Sequence, residues 1–359
     1  MATLDRKPGR KLLLYTMKEA YSLSERHERV LALVTEKYIE TAAPVGSRTV
    51  AKKFLPPLSP ATIRNVMADL EELGLLSQPH TSAGRIPTEE GFRYYVEHLL
   101  DPEPLPEETL ETIERNLSQE EIAESWETLL KSVSHLLSDL SGFPVIVTAP
   151  KLEYEKLIKI DFVRLSERLI LTVAVSASGM VIHRLIKTLR DFSIETLERL
   201  SALLNDRLPG LTLKEVREVL FSELQNEKAL LEDLLLALCE SPEEPFVEGI
   251  NRLLDLPEFQ DLERLKEILK TFEEKSLLLQ LIDRCLEART PQVLIGAPSP
   301  QCPFKQCGAI VASYSWRDTP VGGVAIIGPM RMAYARLIPL VEYTTQHLSR
   351  TLDKLSPRT

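Results

Sequence analysis

A short stretch near the N-terminus carries side chains that could read the bases of DNA. Ala61, Thr62, Arg64 and Asn65 fall on the outer face of a helix predicted to begin at Pro60. In the major groove an arginine can bind guanine through two hydrogen bonds, an asparagine can bind adenine, and threonine and alanine methyl groups can meet the thymine methyl. The pattern therefore predicts a helix whose N-terminal part enters the major groove.

A second group of side chains could hold the sugar–phosphate backbone, which sets the register of a protein on DNA without reading sequence. A polar loop at 79–85, which contains a glycine, could reach the backbone or the minor groove beside the reading helix. The residues predicted for these backbone and loop contacts are Ser47, Arg48, Lys52, Ser59, His80, Ser82 and Arg85.

Two helices are predicted to come before the reading helix. Ser22 and Glu25 have the spacing of a capping box, which predicts the start of the first helix near Ser22. Pro44 and Gly46 end that helix, and a short second helix follows over 47–54. The apolar residues that recur at helical intervals in the first helix are Val30, Leu31, Val34, Tyr38 and Ile39.

The third helix and the segment after it complete the predicted module. Ser59 serves as its N-cap, with proline in the first helical position, and Gly74 stops it. Strands at 75–78 and 86–87 enclose the polar loop, and Thr88 caps a fourth helix. This order is typical of a winged helix-turn-helix, which the sequence predicts over residues 24–95.

The distribution of charge suits a DNA-binding module on an acidic body. The formal net charge is −10, but residues 1–100 carry a small basic excess and residues 101–359 are strongly acidic. Residues 41–68 contain basic side chains and no acidic one. Such a face could bind DNA while the body is repelled by it, although charge alone favours the simpler interpretation of a solvated helix surface.

The sequence predicts no enzyme, cofactor or metal site. Six histidines are scattered along the chain, and the motifs of zinc proteases, phosphate-binding loops, dinucleotide folds and serine hydrolases are absent. The chain has no apolar run long enough for a transmembrane helix and no secretory signal, so no membrane partner is expected. Reduced thiols in the cytoplasm are favoured over a disulfide scaffold or a zinc site for Cys239, Cys285, Cys302 and Cys307.

The remainder of the chain alternates between two periodicities. Residues 145–186 have the period of strands, 193–288 return to helical periodicity, and 291–328 have the period of strands again. This order predicts one α+β domain interrupted by a helical subdomain, with two consecutive domains as the alternative. Leucine-rich amphipathic runs at 213–238 and 261–286 would pair two copies of the chain.

Several stretches taken together identify a family resemblance. PVGS at 44–47, SPATIRN at 59–65, HTSAGRIPT at 80–88 and GGVAIIGPMRMAYARLIPLVEY at 322–343 closely resemble the heat-inducible transcription repressor HrcA family of bacteria. The likeness spans nearly the whole chain from Leu23. Met330, Ala333 and 297–299 depart from the family pattern, as does the basic N-terminal extension, and all of these lie away from the DNA module.

The resemblance implies a homodimeric repressor of chaperone operons. It implies binding to double-stranded operator DNA, an inverted repeat called CIRCE upstream of the groE and dnaK operons, with activity modulated by the GroE chaperonin and no cofactor. The implied fold is α+β and multidomain. Its parts are a basic tail at 1–22, a winged helix-turn-helix at 23–100, a linker helix and first part of a GAF-like domain at 101–192, an inserted mainly helical dimerisation domain at 193–288, and the second part of the GAF-like domain with a C-terminal helix at 289–359.

Two other classes of function stay open at this point. One is a winged-helix regulator that binds a small-molecule effector in a pocket of the GAF-like domain. The other is an interaction protein in which the winged helix is a docking module, because the same helices occur in protein–protein modules.

Overall fold

The structure is a computed structural model of the chain. It describes residues 22–80, 83–118, 126–150, 156–177, 181–188, 191–207, 212, 215, 245–273, 279–280, 282–283, 285–286, 288, 290–296 and 307–355. The helices are α1 Glu25–Thr41, α2 Ser47–Lys53, α3 Pro60–Glu72, α4 Glu89–Tyr94 with a π-helical continuation Tyr95–Leu99, α5 Glu107–Leu117, α6 Trp126–Ser141, α7 Ile194–Arg207, α8 Leu262–Glu273 and α9 Tyr334–Leu355. The strands are β1 Leu76–Ser77, β2 Ile86–Pro87, β3 Val145–Val147, β4 Leu157–Ser166, β5 Leu169–Ser176, β6 Val181–Lys187, β7 Phe246–Glu248, β8 Gln292–Ile295, β9 Cys307–Trp316 and β10 Thr319–Pro329.

The N-terminal module consists of α1 to α3 followed by the hairpin of β1 and β2. Its helices and strands lie where the sequence predicts them, apart from the start of α1. Ser24, rather than Ser22, is the N-cap of α1, and its hydroxyl accepts a hydrogen bond from the backbone N–H of His27 at 3.4 Å. The module has its own apolar core, which contains Val30, Leu31, Val34, Val45, Val50, Phe54, Ile63, Val66, Met67, Leu70, Leu75, Leu76 and Tyr94.

The central part of the chain is a five-stranded antiparallel sheet in the order β7-β3-β10-β9-β8. Alternate residues of its strands point to opposite faces, as the pleat requires. Ile310 and Val324 belong to a core shared with α6 and α9, whereas Ala309 and Ala325 belong to a second core on the other face. Helices and other segments therefore cover both faces of this sheet, and the mixed helix-and-sheet class expected from the sequence is confirmed.

Strands β4, β5 and β6 do not join that sheet. They form a separate three-stranded antiparallel sheet, against which α7 packs. Along the chain, the three-stranded sheet thus comes between β3 and β7 of the main sheet. The domain borders expected from the sequence, with an inserted domain at 193–288, stay a prediction. The period-two pattern that predicts a strand does not say which neighbour the strand pairs with, because pairing partners are set by contacts distant in sequence.

Helix α8 lies within the leucine-rich run 261–286, which the sequence predicts to pair two copies of the chain. Ile268 and Phe272 of this helix are buried in the second core of the main sheet. These two side chains therefore pack within one chain, and the role of the run in dimerisation stays a prediction. Nearly all of the other run, 213–238, lies outside the described residues.

Among the helices that the structure describes, none combines the length and the apolar character needed to cross a membrane.

Candidate nucleic-acid interface

The start of α3 is held by a hydroxyl pair. The Ser59 hydroxyl accepts a hydrogen bond from the backbone N–H of Thr62 at 3.1 Å, and the two side-chain oxygens lie 2.9 Å apart. Pro60 occupies the first turn, where its missing N–H costs nothing because that N–H would have no intrahelical partner. Ser59 is confirmed as the N-cap. The hydroxyl of Ser59, which is predicted to contact a phosphate, therefore helps to fix the start of α3, while the methyl group of Thr62 stays available for its predicted base contact.

Helix α3 divides its residues between the module core and solvent. Ile63 and Val66 are buried, whereas Ala61, Arg64 and Asn65 are exposed. Because residues three and four apart share a helix face, burying the apolar positions presents the others outward. The face predicted to read bases is thus exposed in the structure.

Helix α2 carries the residues predicted to contact phosphates. Arg48 and Lys52 are exposed, and Ser47 is half-buried at the first position of the helix. Val50 on the opposite side is buried in the module core. The helix is therefore anchored by its apolar side, with its basic side turned to solvent.

A groove between the two helices and the hairpin brings four predicted site residues together. It has a volume of about 500 Å³, and its walls include Arg64 of α3 and Arg48 of α2. The other polar side chains that line it are Ser47, Gln78 and Arg85. The exposed side chains of Arg48 and Arg64 bring positive charge to this groove, which suits the phosphates of nucleic acid.

Arg85 is held more firmly than the sequence suggests. Its guanidinium forms an ion pair with Glu71 of α3, with 2.9 Å between Nη2 and Oε2, and only 17% of its side chain is exposed. Arg85 was predicted as a wing residue that reaches DNA. In the structure it also ties the hairpin to α3, and Glu71 was not singled out because nothing in the local sequence indicates a partner fourteen residues away.

Val45 and Arg85 form a β-bridge that joins the start of α2 to the hairpin. Each backbone N–H donates to the carbonyl of the other residue at 2.9 Å. Gly84 makes this approach possible, because a Cβ at that position would overlap the backbone carbonyl of Val45. The glycine in the HTSAGRIPT stretch is thus a packing requirement, which could be recognised only once PVGS was known to lie against it.

The tip of the hairpin is only partly described. His80 is exposed there, in agreement with a loop that could reach DNA, whereas Ser82 lies outside the described residues. Gln78 spans the hairpin, since its side-chain amide donates to the backbone carbonyl of Ala83 at 3.0 Å. Gln78 lines the groove as well and was not predicted as a site residue.

A metal centre is not visible in the described ranges, which contain no cluster of three or more His, Cys, Asp or Glu side chains able to hold an ion. Cys285 and Cys307 are buried in the second core of the main sheet. Cys239 and Cys302 lie outside the described residues.

Comparison with known proteins adds independent information. Residues 127–338 match a family model described as the HrcA protein C terminal domain. The chain is 40% identical over 342 residues to the heat-inducible transcription repressor HrcA of Geobacter sulfurreducens, covering 92% of this chain and 98% of that protein. It is 38% identical over 343 residues to the protein of the same name from Syntrophobacter fumaroxidans, with the same coverage.

One solved structure has a similar fold over most of its length. It is described as a hypothetical protein at 2.2 Å resolution, and it matches with a TM-score of 0.57 and 25% sequence identity. The match covers 93% of this chain and 99% of that one.

Proposed function

The chain belongs to the HrcA family, whose relatives are heat-inducible transcription repressors, and from this premise we propose how it recognises its operator. It is a transcription repressor rather than an enzyme. Residues 23–100 act as a winged helix-turn-helix, with α3 as the reading helix and the hairpin of β1 and β2 as the wing. The observation that carries the proposal is the groove in which Arg48, Arg64 and Arg85 converge.

The assignment of roles follows from exposure and position. Arg64 and Asn65, exposed one turn into α3, read base edges together with Ala61 and the methyl group of Thr62. Contacts to the DNA backbone come from Ser47, Arg48 and Lys52 on α2, from Ser59, and from the wing residues His80, Ser82 and Arg85. The charge of Arg85 is balanced by Glu71, so its guanidinium acts as a hydrogen-bond donor held at the edge of the groove.

We assign each of the two remaining domains to one of the two larger sheets. We propose that the five-stranded sheet and its helices, residues 101–147 and 246–355, form the GAF-like domain that the family resemblance implies. Residues 148–245, which contain the three-stranded sheet and α7, form the inserted dimerisation domain. The borders drawn from sequence periodicity shift accordingly.

A dimer is proposed because one reading helix alone contacts too little DNA for tight specific binding. The three-stranded sheet offers a surface for it. On the face not covered by α7, the paired residues Val163, Leu171 and Leu185 form an apolar row, and Val163 and Leu185 are 46% and 63% exposed. Val181, 57% exposed, extends this row along β6. Two copies that covered this sheet face would present two reading helices to the halves of an inverted repeat.

We propose the CIRCE inverted repeat upstream of groE- and dnaK-type operons as the operator. We further propose that the GroE chaperonin supports repression and that heat-damaged proteins relieve it by occupying the chaperonin. Both proposals rest on the family resemblance. Together they explain how a DNA-binding dimer could respond to heat without a cofactor.

Footprinting on the promoters of the host's own chaperonin genes tests this function. We expect the purified full-length protein to protect both halves of an inverted repeat, and scrambled DNA of equal length to compete poorly. Chaperonin added alone should strengthen protection, whereas chaperonin preloaded with unfolded polypeptide should not. Equal affinity for operator and scrambled DNA would contradict the proposed function. A metabolite-responsive regulator would instead change its affinity for operator DNA when a small molecule is added.

A further inference from the structure

The Arg93 side chain makes a charged contact between the DNA-binding module and the body, which is the five-stranded sheet with its helices at residues 101–147 and 246–355. Arg93, in α4, donates from Nε and Nη2 to the backbone carbonyl of Ile295, at 3.1 and 2.8 Å. Ile295 is the last residue of β8, 202 positions away in the sequence, and only 14% of the Arg93 side chain is exposed. Hydrogen bonds from a charged donor are stronger and more directional than apolar contacts.

Two glutamates of α4 and a glycine that follows β8 surround this contact. Glu89 and Glu90 on α4 each form an ion pair with the same guanidinium, and Glu90 does so at 2.9 Å. Gly296 follows Ile295 with φ +70, a conformation that favours glycine, and a Cβ there would overlap the Glu89 carboxylate. An alanine at Gly296 would therefore displace the end of the Glu89 side chain from its position beside Arg93.

Helix α4 is in turn fixed to the reading helix. The Thr88 hydroxyl, at the N-cap of α4, donates to the carbonyl of Gly74 at 2.6 Å, two residues after the end of α3. The backbone N–H of Thr88 donates to the carbonyl of Leu75 at 3.1 Å. A rotation of α4 would therefore carry α3 with it, so whatever orients α4 on the body also orients the reading helix.

The other contacts between module and body are mainly apolar. Phe92, Tyr95 and Val96 of the module are buried in the core shared with α6 and α9, and Tyr38 of α1 packs against that core. Apolar packing is non-directional. It therefore holds the module against the body but restricts the angle between them less than the directional hydrogen bonds of Arg93 do.

We propose that Arg93 is a positioning residue, which fixes the angle of the reading helix relative to the body and so sets the half-site spacing that a dimer accepts. The inference rests on the proposed dimeric function. Two modules held at one angle match one distance between half-sites. Loss of the contact leaves each module able to bind DNA but lowers the effective concentration of the second module at its half-site.

The experiment measures three affinities for the full-length protein: for one half-site, for the full inverted repeat, and for repeats with the spacer changed by one to five base pairs. Arg93→Ala removes the side chain that the module contributes to the contact, and Gly296→Ala alters the contact on the side of the body. For both we expect unchanged half-site affinity, about tenfold weaker binding to the native repeat, and a flatter dependence on spacer length. Arg93→Lys should recover only part of the loss, because an ammonium lacks the planar donor set of arginine.

Arg115→Ala, at an exposed position of α5, is the matched control and should behave like the unaltered protein. Sedimentation of each variant establishes that the dimer persists, and half-site binding establishes that the module is folded. An equal loss at half-site and full repeat, a lost dimer, or an unchanged spacer preference would each overturn the role of Arg93. An unaltered protein that binds the full repeat no better than a half-site would instead contradict the proposed dimeric function.

Discussion

Arg64 and Asn65 are exposed on α3, while their neighbours Ile63 and Val66 are buried in the module core. The core therefore determines which polar side chains of α3 are exposed on the side proposed to meet DNA. Arg85 shows the opposite case, since a side chain in a polar loop is withdrawn into an ion pair with Glu71. At the scale of single residues, base reading should depend on Arg64 and Asn65, and the shape of the groove should depend on the Arg85–Glu71 pair.

Removal of either reading side chain should weaken binding and lower discrimination between sequences. Arg64→Ala and Asn65→Ala should each cost about 1–3 kcal/mol on the operator, because a bidentate contact to one base edge is lost. Fluorescence anisotropy with operator and single-base-pair variants measures this. The placement of α3 in the major groove would be wrong if Arg64→Ala left the preference among those variants intact.

Lys52 should behave differently, because a phosphate contact carries no sequence information. Lys52→Ala should weaken binding to operator and scrambled DNA alike and reduce the slope of log affinity against log salt by about 1. Titrations at several salt concentrations measure the slope. Lys53→Ala is the matched control: its ammonium lies 3.8 Å from the Glu40 carboxylate, so its removal should change the slope less.

The elements of the module depend on one another through close backbone approaches. The β-bridge between Val45 and Arg85 joins the segment before α2 to the wing, and Thr88 joins the start of α4 to the end of α3. Each connection links segments that are far apart in sequence. The groove lies between these elements, so its shape depends on the bridge as much as on the side chains that line it.

Gly84→Ala should therefore damage both the stability of the module and its DNA binding. The added Cβ would overlap the Val45 carbonyl, and relieving such overlap costs about 1–3 kcal/mol of unfolding free energy. Chemical denaturation and operator binding measure the two effects. Gly46→Ala is the control, since a Cβ there has no atom within 4 Å; equal losses in both variants would contradict the role of the bridge.

At the scale of the whole molecule, three bodies of structure are arranged along one chain. A reading module is fixed to a five-stranded sheet, and a second sheet is inserted between β3 and β7 of the first. The inserted sheet carries the exposed apolar face proposed for dimerisation, and Arg93 connects the reading module to the body. We therefore expect operator recognition to depend on two separate contacts outside the DNA interface.

Leu185→Asp should separate the dimer, because it places a charge within the apolar face of the inserted sheet. We expect sedimentation to show a monomer at micromolar concentration and the variant to keep half-site binding while losing its advantage on the full repeat. Leu254→Asp is the control, since Leu254 is 57% exposed but lies outside that sheet. A dimer that survives Leu185→Asp would show that the face is not the interface.

The sequence alone determined the local structure of the DNA module and the family of the chain. Caps such as Ser59 and Thr88, helical apolar spacing and the turn residues act over a few positions, so α2, α3, α4 and the hairpin could be predicted from them. Ser24 as the N-cap of α1 was missed because Ser22 offers the same chemistry two positions earlier. The exposed positions of Arg64 and Asn65 followed from the same periodicity.

Only the tertiary structure decided which distant segments meet. It assigned β4 to β6 to their own sheet, buried α8 against the main sheet, paired Arg85 with Glu71 and placed Arg93 on the Ile295 carbonyl. A strand pattern records which residues are apolar, not which strand lies beside them, and an arginine carries no local sign of its acceptor. These contacts form between residues that the chain brings together only when it folds, which is why the DNA module was predictable while its attachment to the body was not.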